Sequence, residues 1–264
     1  MRKNGVPPGQ VSIRIRVDAG SLYETDKERG YAHLLEHMLF RQSKYLPEGT
    51  AIAAFQRLGA TFGSDTNAVT STTQTVFKLD LPNATAATLD ETFKLMSGMV
   101  TAPTLSASNL KADLPIVLAE MRERGAAKRV QDAMQQTLYS GLLLADREPI
   151  GTQESLTAAT PQSVRAFYSR WYRPDNVAVI VAGDADPAML EGYVKKWFSD
   201  WSAKGQKPAA PDFGDPVAPP DADLKNPVGQ TRVLVEPDLP PRSCTPSCAR
   251  GSRLQTTSPT TRGL

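Results

Sequence analysis

The chain has 264 residues, which is enough for one large domain or for one domain and the beginning of another. Hydrophobic residues make up 40% and charged residues 22% of it, so its composition is that of a globular protein and excludes a disordered or fibrous one. A formal net charge of only +2 argues against a nucleic-acid partner. No apolar run reaches the roughly 18 residues that a membrane span requires.

Strands are predicted where apolar and polar residues alternate. Residues 11–18 alternate without a fault, which is the period of a strand with one face on a core and one face towards water. Residues 75–81 alternate in the same way and stop at Pro82. Residues 177–182 are almost continuously apolar, which predicts a buried strand.

Helical periodicity fills the long stretches between these strands. The first helix is predicted from residue 25, with Thr25 or Asp26 as its N-cap. Further helices are predicted at residues 51–58, 84–100, from Ser106 or Ser108 to 124, and at 129–144, 161–172 and 187–198. This order favours an α+β fold, a mostly antiparallel sheet with helices packed on one face. Periodicity alone does not give strand direction, so a parallel sheet is the alternative.

The composition changes after Trp201, where prolines become frequent. Residues 1–201 are therefore predicted to form one α+β domain, and residues 202–229 a proline-rich linker. Residues 230–239 contain a possible first strand of a truncated second domain. Residues 240–264 are predicted to be a disordered tail, in which Cys244 and Cys248 are free thiols.

Both histidines of the chain lie in His33-Leu34-Leu35-Glu36-His37, an H-x-x-E-H pattern. A spacing of four on a helix puts the two imidazoles on one face, one turn apart, so that they can bind a single ion. Glu36 lies at the edge of that face, where its carboxylate can take a proton from a metal-bound water. Zinc supplies the other half of this chemistry, because it lowers the pKa of its water to roughly 7 and polarises a carbonyl. The pattern predicts a hydrolytic site with one Zn²⁺ ion.

A catalytic zinc site usually has a third protein ligand besides water. The predicted helix that ends at residue 124 offers Glu120. Asp113, two turns earlier on the same face, is placed to support a ligand by hydrogen bonding. Glu123 and Glu91 are alternative third ligands.

The segment 30–40, which contains these histidines, resembles the inverted zinc-binding motif of the pitrilysin/insulinase metallopeptidase family, which includes mitochondrial processing peptidase. Three further stretches are similar to motifs of the family and occur in the family's order, over about residues 10 to 200. They are residues 63–71 with Asn67 and Ala68, residues 117–121 with Glu120, and residues 171–176 with the strand up to Gly183-Asp184.

The resemblance implies that His33, His37 and Glu120 are the zinc ligands and that Glu36 is the catalytic base. It also implies that a peptide substrate adds as a β-strand beside residues 63–68 and contacts Asn67 and Ala68.

The chain departs from the family's pattern in three respects. The family's strand before residue 11 is missing or cut short, and Asp113 stands where the family usually has a glutamate. The family builds its active chamber from two halves of related fold, and this sequence stops where the second half would begin. A truncated or frame-shifted product is therefore expected, with a second related domain or subunit as its partner.

Together these features predict the N-terminal half of a zinc metalloendopeptidase that cuts peptides or unfolded segments. The alternative is a non-catalytic subunit or fragment that binds a peptide or a partner chain. The location stays open: the sequence has no targeting segment, but its beginning looks clipped. Export to a periplasm is expected if the N-terminus is truncated, and a cytoplasmic location otherwise.

Overall fold

Four strands form one antiparallel sheet in the computed structural model, which describes residues 4–203 and 205–214. The strands are β1 (Val11–Val17), β2 (Thr66–Thr70), β3 (Thr75–Leu81) and β4 (Val177–Gly183), in the order β2-β3-β1-β4. All the pairings are antiparallel, so the predicted α+β class is confirmed and the parallel alternative is wrong.

Eight α-helices complete the described part of the chain. They are α1 (Tyr31–Arg41), α2 (Ala51–Arg57), α3 (Ala86–Thr101), α4 (Ala107–Glu123), α5 (Gly125–Leu138), α6 (Gln153–Thr157), α7 (Pro161–Trp171) and α8 (Pro187–Phe198). The helix predicted at 129–144 is wrong in its bounds: α5 begins and ends earlier, and a separate 3-10 turn follows at Leu143–Asp146. No helix in the described residues is both long and apolar enough to cross a membrane.

The core lies between one face of the sheet and the helices. Alternate residues of β1 and β3 are buried, as their period predicts, and α1 packs over them with an apolar face. Burying each Leu or Ile side chain completely contributes roughly 1.5–3 kcal/mol, so this layer holds α1 firmly on the sheet. The buried side chains include Ile13, Ile15, Phe77, Leu79, Leu34, Leu35, Met38 and Leu39.

In the described residues, strand β4 lies at an edge of the sheet. Its apolar sequence predicts a buried strand, but β4 is only partly buried. Val177, Val179 and Val181 pack against the core but remain half-buried. Ile180 points to the opposite face and is 48% exposed. The reason is topological: β1 is the strand that pairs with β4 in the described residues, and a run of apolar residues does not reveal how many neighbours a strand has.

The beginning of α1 is fixed by a carboxylate that the sequence did not indicate. Thr25 was expected to cap this helix, but it caps a short 3-10 turn (Asp26–Glu28) instead. Gly30, with φ 92°, precedes α1. Glu24 Oε2 accepts the Gly30 N–H (2.9 Å) and Glu24 Oε1 accepts the Ala32 N–H (2.8 Å). Glu24 therefore holds two of the N–H groups that a helix leaves free at its start.

Burial raises the pKa of Glu24 to about 8, although the backbone N–H groups of Ala32 and Gly30 lower it. The folded protein therefore favours the protonated carboxyl, and this contribution to stability is lost as the pH rises through about 8. We expect the free energy of unfolding of the metal-free chain to fall by up to a few kcal/mol between pH 5 and 9 through this group.

Urea unfolding at several pH values measures this effect against Glu24→Gln, whose side chain does not titrate. The difference in unfolding free energy between the two proteins should shrink as the pH rises. Glu123→Gln, at an exposed position on α4, should follow the unsubstituted chain throughout. If the difference in unfolding free energy between the unsubstituted chain and Glu24→Gln does not change with pH, the raised pKa of Glu24 is contradicted.

Residues 205–214 pack against the rest of the described chain. The Gly205 carbonyl accepts a hydrogen bond from Arg173 Nη2 (2.8 Å), and the Phe213 carbonyl accepts one from the Leu143 N–H (2.9 Å). The Phe213 ring also meets the Tyr23 ring edge-on, with centroids 5.9 Å apart. The rest of the predicted linker, the strand expected within 230–239 and the tail 240–264 with both cysteines lie outside the described residues, so the domain division stays a prediction.

Candidate metal centre

Three side chains from two helices meet above the sheet. His33 and His37 lie one turn apart on α1, with ring centroids 4.8 Å apart, and Glu120 reaches them from α4. Glu120 Oε2 lies 3.6 Å from His33 Nε2 and 3.7 Å from His37 Nε2. These distances exceed those of good hydrogen bonds, so the three groups converge without bonding one another.

The arrangement fits a zinc ion. Ligands bound tetrahedrally at about 2.0–2.2 Å lie roughly 3.3–3.6 Å from one another. The three ligand atoms lie within 4.8 Å of one another, so small side-chain movements suffice to bring them onto one ion. Among the described residues, these three side chains form the one group of at least three His, Cys, Asp or Glu residues that could hold a metal ion.

Burial keeps both imidazoles in the form that binds metals. It lowers the pKa of His33 to about 4, with a further lowering from His37, while Glu120 acts in the opposite direction. Burial likewise lowers the pKa of His37. Both rings are therefore neutral near pH 7, and no proton has to leave before a cation binds.

The two alternative third ligands lie elsewhere. Glu91, on α3, pairs with Lys94 at 3.0 Å, and Glu123 is exposed on α4. Glu120 is therefore the carboxylate that the fold brings to the histidines. Its second oxygen, Oε1, accepts a hydrogen bond from Arg124 Nη2 at 3.2 Å.

Glu36 lies on the same helix and is buried, with 9% of its surface exposed. Its Oε2 accepts a hydrogen bond from the Thr70 hydroxyl at 2.5 Å. Burial raises the pKa of Glu36 to about 7, while the hydrogen bond from Thr70 lowers it. A carboxylate with a pKa near the working pH is suited to accept and return a proton.

Asp113 joins the two helices that carry the three converging side chains. Its carboxylate is buried on α4, and Oδ1 accepts a hydrogen bond from Arg41 Nη2 of α1 at 2.6 Å. The other oxygen, Oδ2, is buried and has no hydrogen-bond partner within the described residues. The direct contact of Asp113 is thus with Arg41, one turn beyond His37, and this pair connects α1 to α4 near the histidines.

The strand that is expected to contact a peptide lies at an edge of the sheet that the described residues form. Asn67 and Ala68 belong to β2, which pairs with β3 along one side. Asn67 Oδ1 accepts the Ala68 N–H at 2.9 Å, and Asn67 Nδ2 donates to the Gly63 carbonyl at 3.3 Å. Thr70, which contacts Glu36, lies at the end of the same strand. Sequence reasoning gave Thr70 no role, although a polar residue on the core-facing side of a strand indicates a polar partner.

Comparison with known proteins identifies the family. Residues 3–147 match the sequence model described as "Insulinase (Peptidase family M16)", and residues 158–248 match "Peptidase M16 inactive domain". The "Probable zinc protease PqqL" of Escherichia coli K12 is 36% identical over 181 residues, which are 68% of this chain and 19% of that protein.

Solved structures agree with this assignment. The first half of the periplasmic protease PqqL from Escherichia coli superposes with a TM-score of 0.71 at 32% identity, covering 78% of this chain and 44% of that one. The ferredoxin protease FusC, solved in complex with Arabidopsis ferredoxin, gives a TM-score of 0.74 at 31% identity, covering 81% of this chain and 24% of that one. The chain spans about a fifth of the length of PqqL. It belongs to the insulinase family of peptidases, family M16.

Proposed function

We propose that this chain is the zinc-binding part of a metalloendopeptidase that cleaves peptides or unfolded protein segments. The observation that carries the proposal is the convergence of His33, His37 and Glu120, with the buried carboxylate of Glu36 on the same helix. Zinc held there would supply a Lewis acid that polarises the scissile carbonyl and acidifies a water molecule.

The chain's own residues supply the proton transfers. Glu36 accepts the proton of the attacking water and donates it to the leaving amine. Its burial removes competing solvent, and its pKa of about 7 lets it act in both directions near neutral pH. We assign Asp113 the role of supporting the ligand helices through Arg41.

The edge strand β2 is suited to bind the substrate. Its outer edge has no strand beside it in the described residues, so an extended peptide can add there by main-chain hydrogen bonds. We assign Asn67 and Ala68 to this contact. A peptide bound at β2 would lie close to Glu36, because Thr70 of the same strand contacts that carboxylate.

The free edge of β2 in the described residues would equally serve a second function, that of a non-catalytic subunit that binds a peptide or a partner chain. Both functions require the same partner, a second related domain or subunit. PqqL is described as periplasmic, and we extend that location to this chain as part of the proposal.

Zinc content and peptide turnover separate these two functions. We expect the purified chain to bind about one zinc ion and to cleave a quenched peptide weakly or not at all. Adding the second half of a related protease in trans should raise turnover on the order of 10²-fold or more, because it completes the positioning of the substrate. A chelator should abolish that turnover. If the chain binds zinc but cleaves no peptide in the presence of the second half, the result would support the non-catalytic function and contradict the catalytic one.

A further inference from the structure

The carboxylate of Glu36 is in contact with a residue of the sheet. Thr70 donates its hydroxyl proton to Glu36 Oε2 at 2.5 Å, a distance typical of a strong bond to a charged acceptor. The backbone N–H of Thr70 also forms a hydrogen bond that lowers the pKa of Glu36, so the side chain and the main chain of this one residue both contact the carboxylate.

The geometry of β2 directs Thr70 towards Glu36. Thr66 and Ala68 of this strand are buried, and Thr70 follows them with the same period of two, so its side chain faces the core where α1 lies. Thr70 is paired with Thr75 of β3, which fixes its place along the sheet. The hydroxyl consequently reaches Glu36 from a rigid element rather than from a mobile loop.

We propose that Thr70 is a positioning residue, which holds the Glu36 carboxylate at a fixed distance from a peptide bound at β2. This proposal rests on the proposed function. The peptide would pair with the backbone of β2, and the base would be held by a side chain of the same strand. The distance between the scissile bond and the base would then be set within one strand, because Ala68 and Thr70 are only about 6.8 Å apart along it.

Two variants separate this role from a merely structural one. Thr70→Val keeps the shape of the side chain but has no hydroxyl, and Thr70→Ser keeps the hydroxyl. Thr73→Val is the matched control, because Thr73 lies exposed in the neighbouring turn. All three variants are loaded with zinc and assayed with the second half of a related protease added in trans.

We expect Thr70→Val to lower kcat by about 10- to 100-fold, the effect of one hydrogen bond to a charged group. KM and the zinc dissociation constant, measured by competition with a chromophoric chelator, should change less than about twofold. Thr70→Ser should recover most of kcat. Equal kcat values for Thr70→Val and Thr73→Val would overturn the proposal, and so would a loss of zinc affinity that parallels the loss of kcat.

A measurement on the metal-free chain keeps this proposal separate from the proposed function. Carbodiimide coupling to an amine, followed by peptide mass spectrometry, reports how freely each carboxylate reacts. Thr70→Val should increase coupling at Glu36 several-fold relative to Glu123, while Thr70→Ser and Thr73→Val should not. If the unsubstituted chain shows no turnover with the second half, the proposed function fails, and this coupling ratio still decides whether Thr70 holds Glu36. If the ratio of coupling at Glu36 to coupling at Glu123 is the same in Thr70→Val as in the unsubstituted chain, Thr70 does not hold Glu36.

Discussion

Replacing Glu120 with alanine is expected to weaken zinc binding by about 10²- to 10³-fold. Structural zinc sites contribute about 10–16 kcal/mol in total, so each of four ligands accounts for about 2.5–4 kcal/mol. Each 1.4 kcal/mol corresponds to a factor of ten in the dissociation constant. The loss should be this large because Glu120 is the only carboxylate that approaches both histidines in the described residues.

Glu123→Ala is the matched control, since Glu123 lies on the same helix three residues later and is exposed. Competition with a chromophoric chelator gives both dissociation constants, and circular dichroism shows whether the total helix content is unchanged. We expect the control to bind zinc as the unsubstituted chain does. Zinc binding that is as strong in Glu120→Ala as in the control would mean that the third ligand is another group.

The convergence of the candidate ligands could be predicted because helical periodicity is a local property. His33 and His37 are four residues apart, so any helix through them places both rings on one face. Glu120 was assigned from a family motif on another predicted helix, and the fold brings that helix beside α1. These predictions needed only the type of each element and the order of the motifs.

The neighbours of each element could not be predicted in the same way. Strand β4 has an apolar sequence, yet among the described residues it lies at the edge of the sheet, because strand order depends on long-range pairing. Two other contacts likewise join separate parts of the fold. Glu24, in the segment before α1, contacts the first residues of that helix, and Thr70 of β2 contacts Glu36 of α1. Such contacts set the environment of a side chain, and hence its pKa, which the residue type alone does not reveal.

Replacing Glu36 with glutamine should leave zinc bound and remove most of the catalysis. Glutamine has nearly the same shape, and its side-chain oxygen can still accept the Thr70 hydroxyl, so the packing beneath α1 should survive. It cannot accept a proton at neutral pH, and general acid–base catalysis typically contributes 10²- to 10⁴-fold. With the second half supplied in trans, we expect kcat to fall by about this factor.

Zinc content should remain about one ion per chain in Glu36→Gln, because Glu36 is not one of the three side chains that could hold the ion. Glu123→Gln provides the control for a lost surface carboxylate and should keep full turnover. The essential measurement is the cleavage of a quenched peptide by both variants at equal zinc loading. Cleavage by Glu36→Gln within about threefold of the control would show that another group moves the proton, since the loss of a general base should cost far more than that.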